Sequence, residues 1–164
     1  MSNNSKYAVE INDLVVEFKT DEGIVHALNG MDLKVEHGKT LGLVGETGAG
    51  KTTTALSILR LVPSPPGKII GGSVKLNGED LFEKTEEEMR KIRGKGVSMI
   101  FQDPMTSLNP VLTVEEQIAE VIELHEDVNH AGAIQKAKEM LELVGIPGER
   151  GPCPERYGPE SRTW

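Results

Sequence analysis

The stretch Gly45-Glu46-Thr47-Gly48-Ala49-Gly50-Lys51-Thr52 fits G-x-x-x-x-G-K-S/T, the phosphate-binding P-loop. It constrains the fold more than any other feature. The motif works only between a strand and a helix, and both flanks read that way. Thr40-Leu41-Gly42-Leu43-Val44 is short and mostly apolar, as a strand would be. Thr53 to Leu61 can be helical, with Leu56, Leu59 and Leu61 near one side. Glycine lacks a Cβ, so the backbone turns tightly and approaches a ligand closely. Consecutive N–H groups then line one concavity that suits phosphate oxygens. The following helix starts with unsatisfied N–H groups and the positive end of its dipole. In that setting Lys51 carries an ammonium for the β- and γ-phosphates, Thr52 a hydroxyl for Mg2+, and Thr53 reaches the α-phosphate. The glycines alone would suit any tight turn; Lys51-Thr52 and the flanks favour a nucleotide. A dinucleotide fold is disfavoured, since the third glycine of G-x-G-x-x-G is missing and Lys51 has no role there.

Residues 1–6 are polar and read as a flexible N-terminus. Tyr7 to Phe18 alternates like a strand, with Asn12-Asp13 and Asp21-Glu22-Gly23 as turn signals. Ile24 to Leu28 and Met31 to Val35 read as two further strands, and His37-Gly38-Lys39 as a turn into the P-loop strand. An antiparallel β part, 7–38, therefore precedes the P-loop part, 39–102. Two readings of Phe18 stand: a face on which adenine stacks, or an ordinary sheet residue. Pro63 to Gly67 ends the helix in a rigid loop. Ser73 to Leu81 around Asn77-Gly78 reads as a two-residue hairpin. Thr85 with Glu88 is a capping box for a short helix to about Arg93. That helix is charged nearly all round and reads as surface, with Lys91, Arg93 and Lys95 on a solvated face. Val97 to Phe101 fits a buried parallel strand that delivers Gln102 at its carboxyl end. Ligands sit beyond such ends. Gln102 is thus either a contact to Mg2+ or a water, or a glutamine in a turn.

Pro104 to Pro110 reads as a loop. Thr113 with Glu116 opens a second capped helix to about Leu124, with Ile118, Val121 and Ile122 on its apolar side. Ala131 to Val144 is helical, with Gly145 as its C-cap and Pro147 as a stop. His125 and His130 sit near carboxylates, but the spacing fits no standard metal set.

Composition excludes several classes. A net charge of −8 gives no footprint for nucleic acid. No run of about 18 apolar residues spans a bilayer, so no direct membrane insertion is expected. Met1 to Lys19 has no signal-peptide core. The single Cys153 rules out an internal disulfide.

Residues 5 to about 147 resemble the ATP-binding subunits of ABC transporters, most of all the D-type ATPases of oligopeptide and dipeptide importers. Val16 to Thr20, Thr40 to Thr53, Ile58 to Gly67 and Ser98 to Pro110 carry the likeness, and Phe101 to Pro110 is the most specific of them. The resemblance implies an α/β P-loop fold with an N-terminal antiparallel β subdomain and, at 103–147, part of a helical subdomain. It implies ATP and Mg2+ as cofactors, held by Phe18 as adenine-stacking aromatic, by Gly45, Glu46, Thr47, Gly48, Ala49, Gly50, Lys51, Thr52 and Thr53, and by Gln102 as Q-loop glutamine, with Thr52 and Gln102 on the metal. Transmembrane permease subunits and a second ATP-binding subunit are the implied partners. The implied location is the cytoplasmic face of the cell membrane, peripherally.

The sequence departs from the family after Pro147. The signature motif, the Walker B aspartate and catalytic glutamate, and the switch histidine do not appear, so the C-terminal half of the core is missing and turnover stays open. Residues 148–164, rich in Pro, Gly and Arg, read as a foreign tail on a truncated domain, or as a genuine divergent one. Three functional readings remain: a peptide-importer ATPase part, a non-hydrolysing nucleotide-binding or docking module, and an ATPase for nickel or another solute. A small P-loop kinase would leave Phe101 to Pro110 unexplained.

Overall fold

A computed structural model describes residues 5–102, 108–109 and 111–146. The element order is β1 (Tyr7–Thr20), β2 (Gly23–Glu36), α1 (Lys51–Ile58), β3 (Gly67–Leu76), β4 (Glu79–Asp80), α2 (Glu86–Ile92), α3 (Val114–His125) and α4 (His130–Leu143). The chain divides into two compact units between Arg93 and Gly94.

The first unit is a four-stranded antiparallel sheet in the order β2-β1-β3-β4. The irregularity between Ile11 and Leu14 shifts the alternation of β1 by one residue, so Ile11, Leu14 and Val16 are all fully buried. They join Leu28, Val74, Leu81 and Met89 in one core. The two strands expected at Ile24–Leu28 and Met31–Val35 are one continuous β2, paired with β1 from Thr20↔Gly23 to Tyr7↔Glu36. Asn12-Asp13 is likewise no turn. It is an irregularity within β1, with Asp13 at φ 47 and its N–H donating to Asp32 Oδ1 at 2.9 Å. Gly72 crosses β1 there so closely that a Cβ would lie 2.4 Å from the Asp13 carbonyl oxygen. The hairpin at Asn77-Gly78 forms as expected, with Leu76 opposite Glu79 and both turn residues at positive φ.

Helix α2 has its capping box: Glu88 N–H donates to Thr85 Oγ1, and Thr85 N–H donates to Glu88 Oε2 at 2.7 Å. It is not wholly a surface helix, because Met89 is fully buried in the core. Nor does Arg93 belong to a solvated face. Its guanidinium donates to Leu59 O at 2.9 Å and pairs with Glu86 at 2.5 Å.

The two apolar runs expected to be parallel strands are not strands. Residues 39–46 are irregular and exposed, with Val44 93% accessible. Val97 forms a single bridge, and 98–101 are irregular, with Ile100 92% accessible. A parallel strand needs hydrogen-bonded neighbours brought in by crossovers, and no described residues supply them.

The second unit is a helical hairpin. Both capping-box bonds are present at Thr113 and Glu116, and the Asn129 side chain accepts from Gly132 N–H at the start of α4. Small residues let the helices approach: Ala119, Ala133 and Ala137 are fully buried and pack with Ile122. Glu123 pairs with His130, and Glu126 with Lys136. The helix ends with Gly145 at φ 82, whose N–H donates to Glu142 O, while Ile146 N–H donates to Leu141 O. Val121, expected on an apolar face, is 51% accessible. The loop residues 103–107 and 110, Pro147 and the segment 148–164 lie outside the described residues.

Candidate functional site

The P-loop is held by the sheet it follows. Gly50 is buried against β2, where an added Cβ would lie 2.6 Å from Leu28 Cδ2 and 2.7 Å from the Ala27 carbonyl oxygen. Its φ of 80° is left-handed as well, so only glycine satisfies both space and backbone there. Gly48 also has positive φ, at 86°. Ala49 N–H donates to Glu46 O at 3.1 Å, closing a turn inside the loop.

Gly50 is also the N-cap of α1, and having no side chain it provides no capping hydrogen bond. The first amides of α1 therefore keep the donor capacity that Thr, Ser or Asp at this position would consume. No acidic side chain stands in that first turn. Lys51 folds back over the loop, its Nζ donating to Gly45 O and Glu46 O, both at 2.6 Å. One cation, a row of exposed loop amides and a helix N-terminus thus come together at residues 45–52. This donor set fits a multiply charged anion of phosphate chemistry.

Thr52 is exposed, and Thr53 is half-buried. Of the expected leucine stripe, Leu59 is buried and Leu56 half-buried, but two hydroxyl residues join the inward face. Thr54 and Ser57 are the buried residues of the helix, while Leu61 is 41% accessible. Their hydroxyls are satisfied within the helix, Thr54 Oγ1 donating to Gly50 O at 2.9 Å and Ser57 Oγ to Thr53 O at 2.7 Å. Thr54 Oγ1 also lies 3.0 Å from Met31 Sδ, a second link from α1 to β2.

Phe18 pairs with Val25 on one side and Gly67 on the other. Its half-buried ring packs on the sheet core, and a Cβ on Gly67 would lie 2.8 Å from its Cε1. Gln102 belongs to the second unit and sits exposed at a bend. Among the described residues there is no cluster of three or more His, Cys, Asp or Glu placed to hold a metal. The carboxylate of Glu116 is engaged in its capping box, where the Thr113 N–H and hydroxyl hold it below the usual glutamate range.

Sequence reasoning missed two elements of this region. The hold of β2 on Gly50 depends on packing between residues more than twenty apart. The fixing of the far end of α1 by Arg60 and Arg93 had a faint signal, two arginines flanking short helices, which reads equally well as surface charge.

The second unit contributes a different feature. One face of α3 — Val114, Ile118, Val121, Ile122 and His125 — floors an apolar groove of about 630 Å³ that Met140 also lines.

The family described as ABC transporter matches residues 28–156. Its last nine positions fall in the segment whose composition reads as foreign. A probable peptide ABC transporter ATP-binding protein of Sinorhizobium fredii is 49% identical over 138 residues, which are 84% of this chain and 41% of that protein. The oligopeptide transport ATP-binding protein OppD of Bacillus subtilis is 47% identical over 85% of this chain and 39% of its own length. AppD of the same organism, also named an oligopeptide transport ATP-binding protein, is 49% identical over 84% of this chain and 42% of its own length. The chain thus spans about two fifths of the length of these curated relatives. Among solved structures, a dimeric ATP-binding cassette in a post-hydrolysis state bound to ADP and Pi matches with TM-score 0.72 at 21% identity, over 88% of this chain and 60% of that one. A second dimeric bacterial cassette structure gives a TM-score of 0.66 over 82% of this chain and 56% of that one. At this identity the likeness is one of fold.

Proposed function

The chain belongs to the ABC transporter family, and from that premise we propose that its P-loop binds the phosphates of ATP. The N–H groups of Gly45, Glu46, Thr47, Gly48, Ala49 and Gly50 and of the start of α1 donate to phosphate oxygens, Ala49 N–H leaving its bond to Glu46 O. Lys51 turns from its own loop carbonyls to the β- and γ-phosphates. Thr52 offers its hydroxyl to Mg2+, and Thr53 reaches the α-phosphate. Gln102 is a further candidate metal contact, on the resemblance of its segment to the Q-loop. Thr52 would hold Mg2+, which when bound would supply charge neutralisation at the phosphates. Phe18 provides the face for adenine. The observation that carries the reading is Gly50, a position closed to every side chain that opens an uncapped helix beside Lys51.

In the whole protein, this site serves an importer that couples ATP hydrolysis to peptide uptake; the names of the relatives support the peptide reading. The partners are transmembrane permease subunits and a second ATP-binding subunit, the latter supported by the dimeric cassettes of like fold. The location is the cytoplasmic membrane face, held peripherally; no helix among the described residues is long and apolar enough to cross a membrane. The groove along α3 is the face offered to the permease.

Competition titration tests the site. ATP and ADP should displace a labelled nucleotide, whereas adenosine should not, because the cradle and Lys51 act on phosphates. Equal competition by adenosine would place the binding energy on the base and remove the P-loop from it. The 164-residue chain alone is expected to show no phosphate release above a Lys51→Ala control. Of the carboxylates considered as substitutes for a catalytic glutamate, Glu46, Glu115 and Glu116, Glu116 is engaged at its helix cap, and none ends a strand.

A further inference from the structure

The far end of the P-loop helix is fixed as firmly as the end that carries the cradle. Helix α1 closes with two backbone bonds, Leu61 N–H to Leu56 O at 2.8 Å and Arg60 N–H to Ser57 O at 3.1 Å. This closure puts Arg60 in the left-handed region, at φ 53. Glycine is the usual residue there, because a Cβ is strained in that conformation. An arginine held in it points to a use for the side chain. Its Nη1 donates to Lys84 O at 2.6 Å and to Leu81 O at 3.3 Å. Arg93 comes from the end of α2 and meets the same place. Its Nε donates to Leu59 O at 2.9 Å, and its Nη2 lies 3.5 Å from Arg60 O. Its Nη1 bonds Glu86 Oε1 at 2.5 Å, which anchors it to the first turn of α2. The two guanidinium groups thus take carbonyls at the C-terminal, negative end of α1 and carbonyls of the 81–84 segment.

We propose that Arg60 and Arg93 form a clasp that positions α1 for nucleotide binding. They touch no phosphate and act through the helix. Helix α1 is eight residues long, so a tilt at its last turn is carried directly to Gly50 and Lys51. Gly50 is already pressed against Ala27 and Leu28, so the C-terminal end is where the two arginines set the tilt. This inference rests on the reading of the P-loop as an ATP site.

Arg60→Gly separates positioning from mere capping. Glycine keeps both closing backbone bonds, relieves the strained φ, and removes the guanidinium. Arg93→Gln removes the fork from Leu59 O and Glu86, and Arg93→Lys replaces it if that variant does not fold. Three quantities are compared across the full 164-residue chain: Tm, Mg-ATP affinity by calorimetry, and amide exchange of residues 45–52. Leu14→Ala, which removes none of the arginine hydrogen bonds, calibrates how affinity follows stability alone. The expected result is a Tm for Arg60→Gly equal to or above the parent's, ATP affinity lowered about 2-fold to 30-fold, and faster exchange across 45–52. Unchanged affinity and exchange in the arginine variants would overturn the proposal. So would affinity losses that track Tm on the Leu14→Ala line, since the arginines would then be ordinary helix caps. If the parent binds no ATP, the nucleotide reading fails by itself, and the exchange of residues 45–52 still decides the clasp.

Discussion

The antiparallel sheet and the two apolar runs at 40–44 and 97–101 have similar residues and opposite fates. β1 is rich in Val, Ile and Leu and buries Ile11, Leu14 and Val16 fully; Thr40 to Val44 is exposed throughout, and in Val97 to Phe101 Ile100 and Phe101 are exposed. The difference lies in where the hydrogen-bonding partners come from. β1 meets β2 across a two-residue turn, and β3 meets β4 across another, so these pairs satisfy their backbones locally. The apolar runs need parallel neighbours from distant sequence. Apolar character makes a segment able to be a strand; a partner on its edge makes it one.

The largest expected effect sharpens that contrast. Leu14→Ala should cost about 2–5 kcal/mol, because Leu14 is fully buried. Val44→Ala and Ile100→Ala should stay within about 0.5 kcal/mol in the 164-residue chain, as for other exposed positions. Denaturant titration of the three reads this directly. A cost above 2 kcal/mol at Val44 or Ile100 would mean that these runs are buried after all, and the comparison would break.

Next in size is Gly50→Ala, where the P-loop meets the sheet. Its Cβ collides with Leu28 and Ala27 O, and the left-handed φ adds its own penalty. The sum is about 2–4 kcal/mol. Gly48→Ala has the φ penalty without the collision and should cost about 1–2 kcal/mol. Equal costs at the two positions would show that β2 does not hold the loop.

Much of this was legible in sequence. The α/β P-loop class read from Gly45 to Thr52 agrees with the solved cassettes of like fold. The hairpin at Asn77-Gly78 and both capping boxes were legible because each is decided by residues within four positions of one another. Illegible were features fixed at long range. Asp13 reads as a turn residue until Gly72 and Asp32 are seen beside it. Met89 reads as one apolar residue on a charged helix until the core beneath it is known. Arg93 reads as surface until Leu59 O is found against it. At the site, the P-loop residues were readable as a motif, whereas the packing that forces Gly50 was not.

The smallest effects concern the capped starts of α2 and α3, which are set by local chemistry. Thr113→Ala should cost about 1 kcal/mol through the lost cap. Glu88 and Glu116 have their carboxyls lowered by hydrogen bonds from Thr85 and Thr113, backbone N–H first. A lowered folded-state pKa stabilises the fold above the ordinary glutamate range, and that gain is lost as pH falls through the lowered value. Helicity followed by circular dichroism should therefore decline on acidification below the usual glutamate range. Thr85→Ala with Thr113→Ala should flatten that decline. An unchanged acid profile in the double variant would detach these carboxylates from helix stability.

The most direct test of the account is calorimetric titration of the folded 164-residue chain and its Lys51→Ala variant with Mg-ATP. Charge-assisted hydrogen bonds from the ammonium to phosphate are worth about 1.5–3 kcal/mol. The variant should therefore bind about tenfold to 150-fold more weakly, with its Tm close to the parent's because Lys51 bonds only exposed loop carbonyls. Equal ATP affinity in two folded proteins would contradict the account, since the cation that closes the loop would then have no part in holding phosphate.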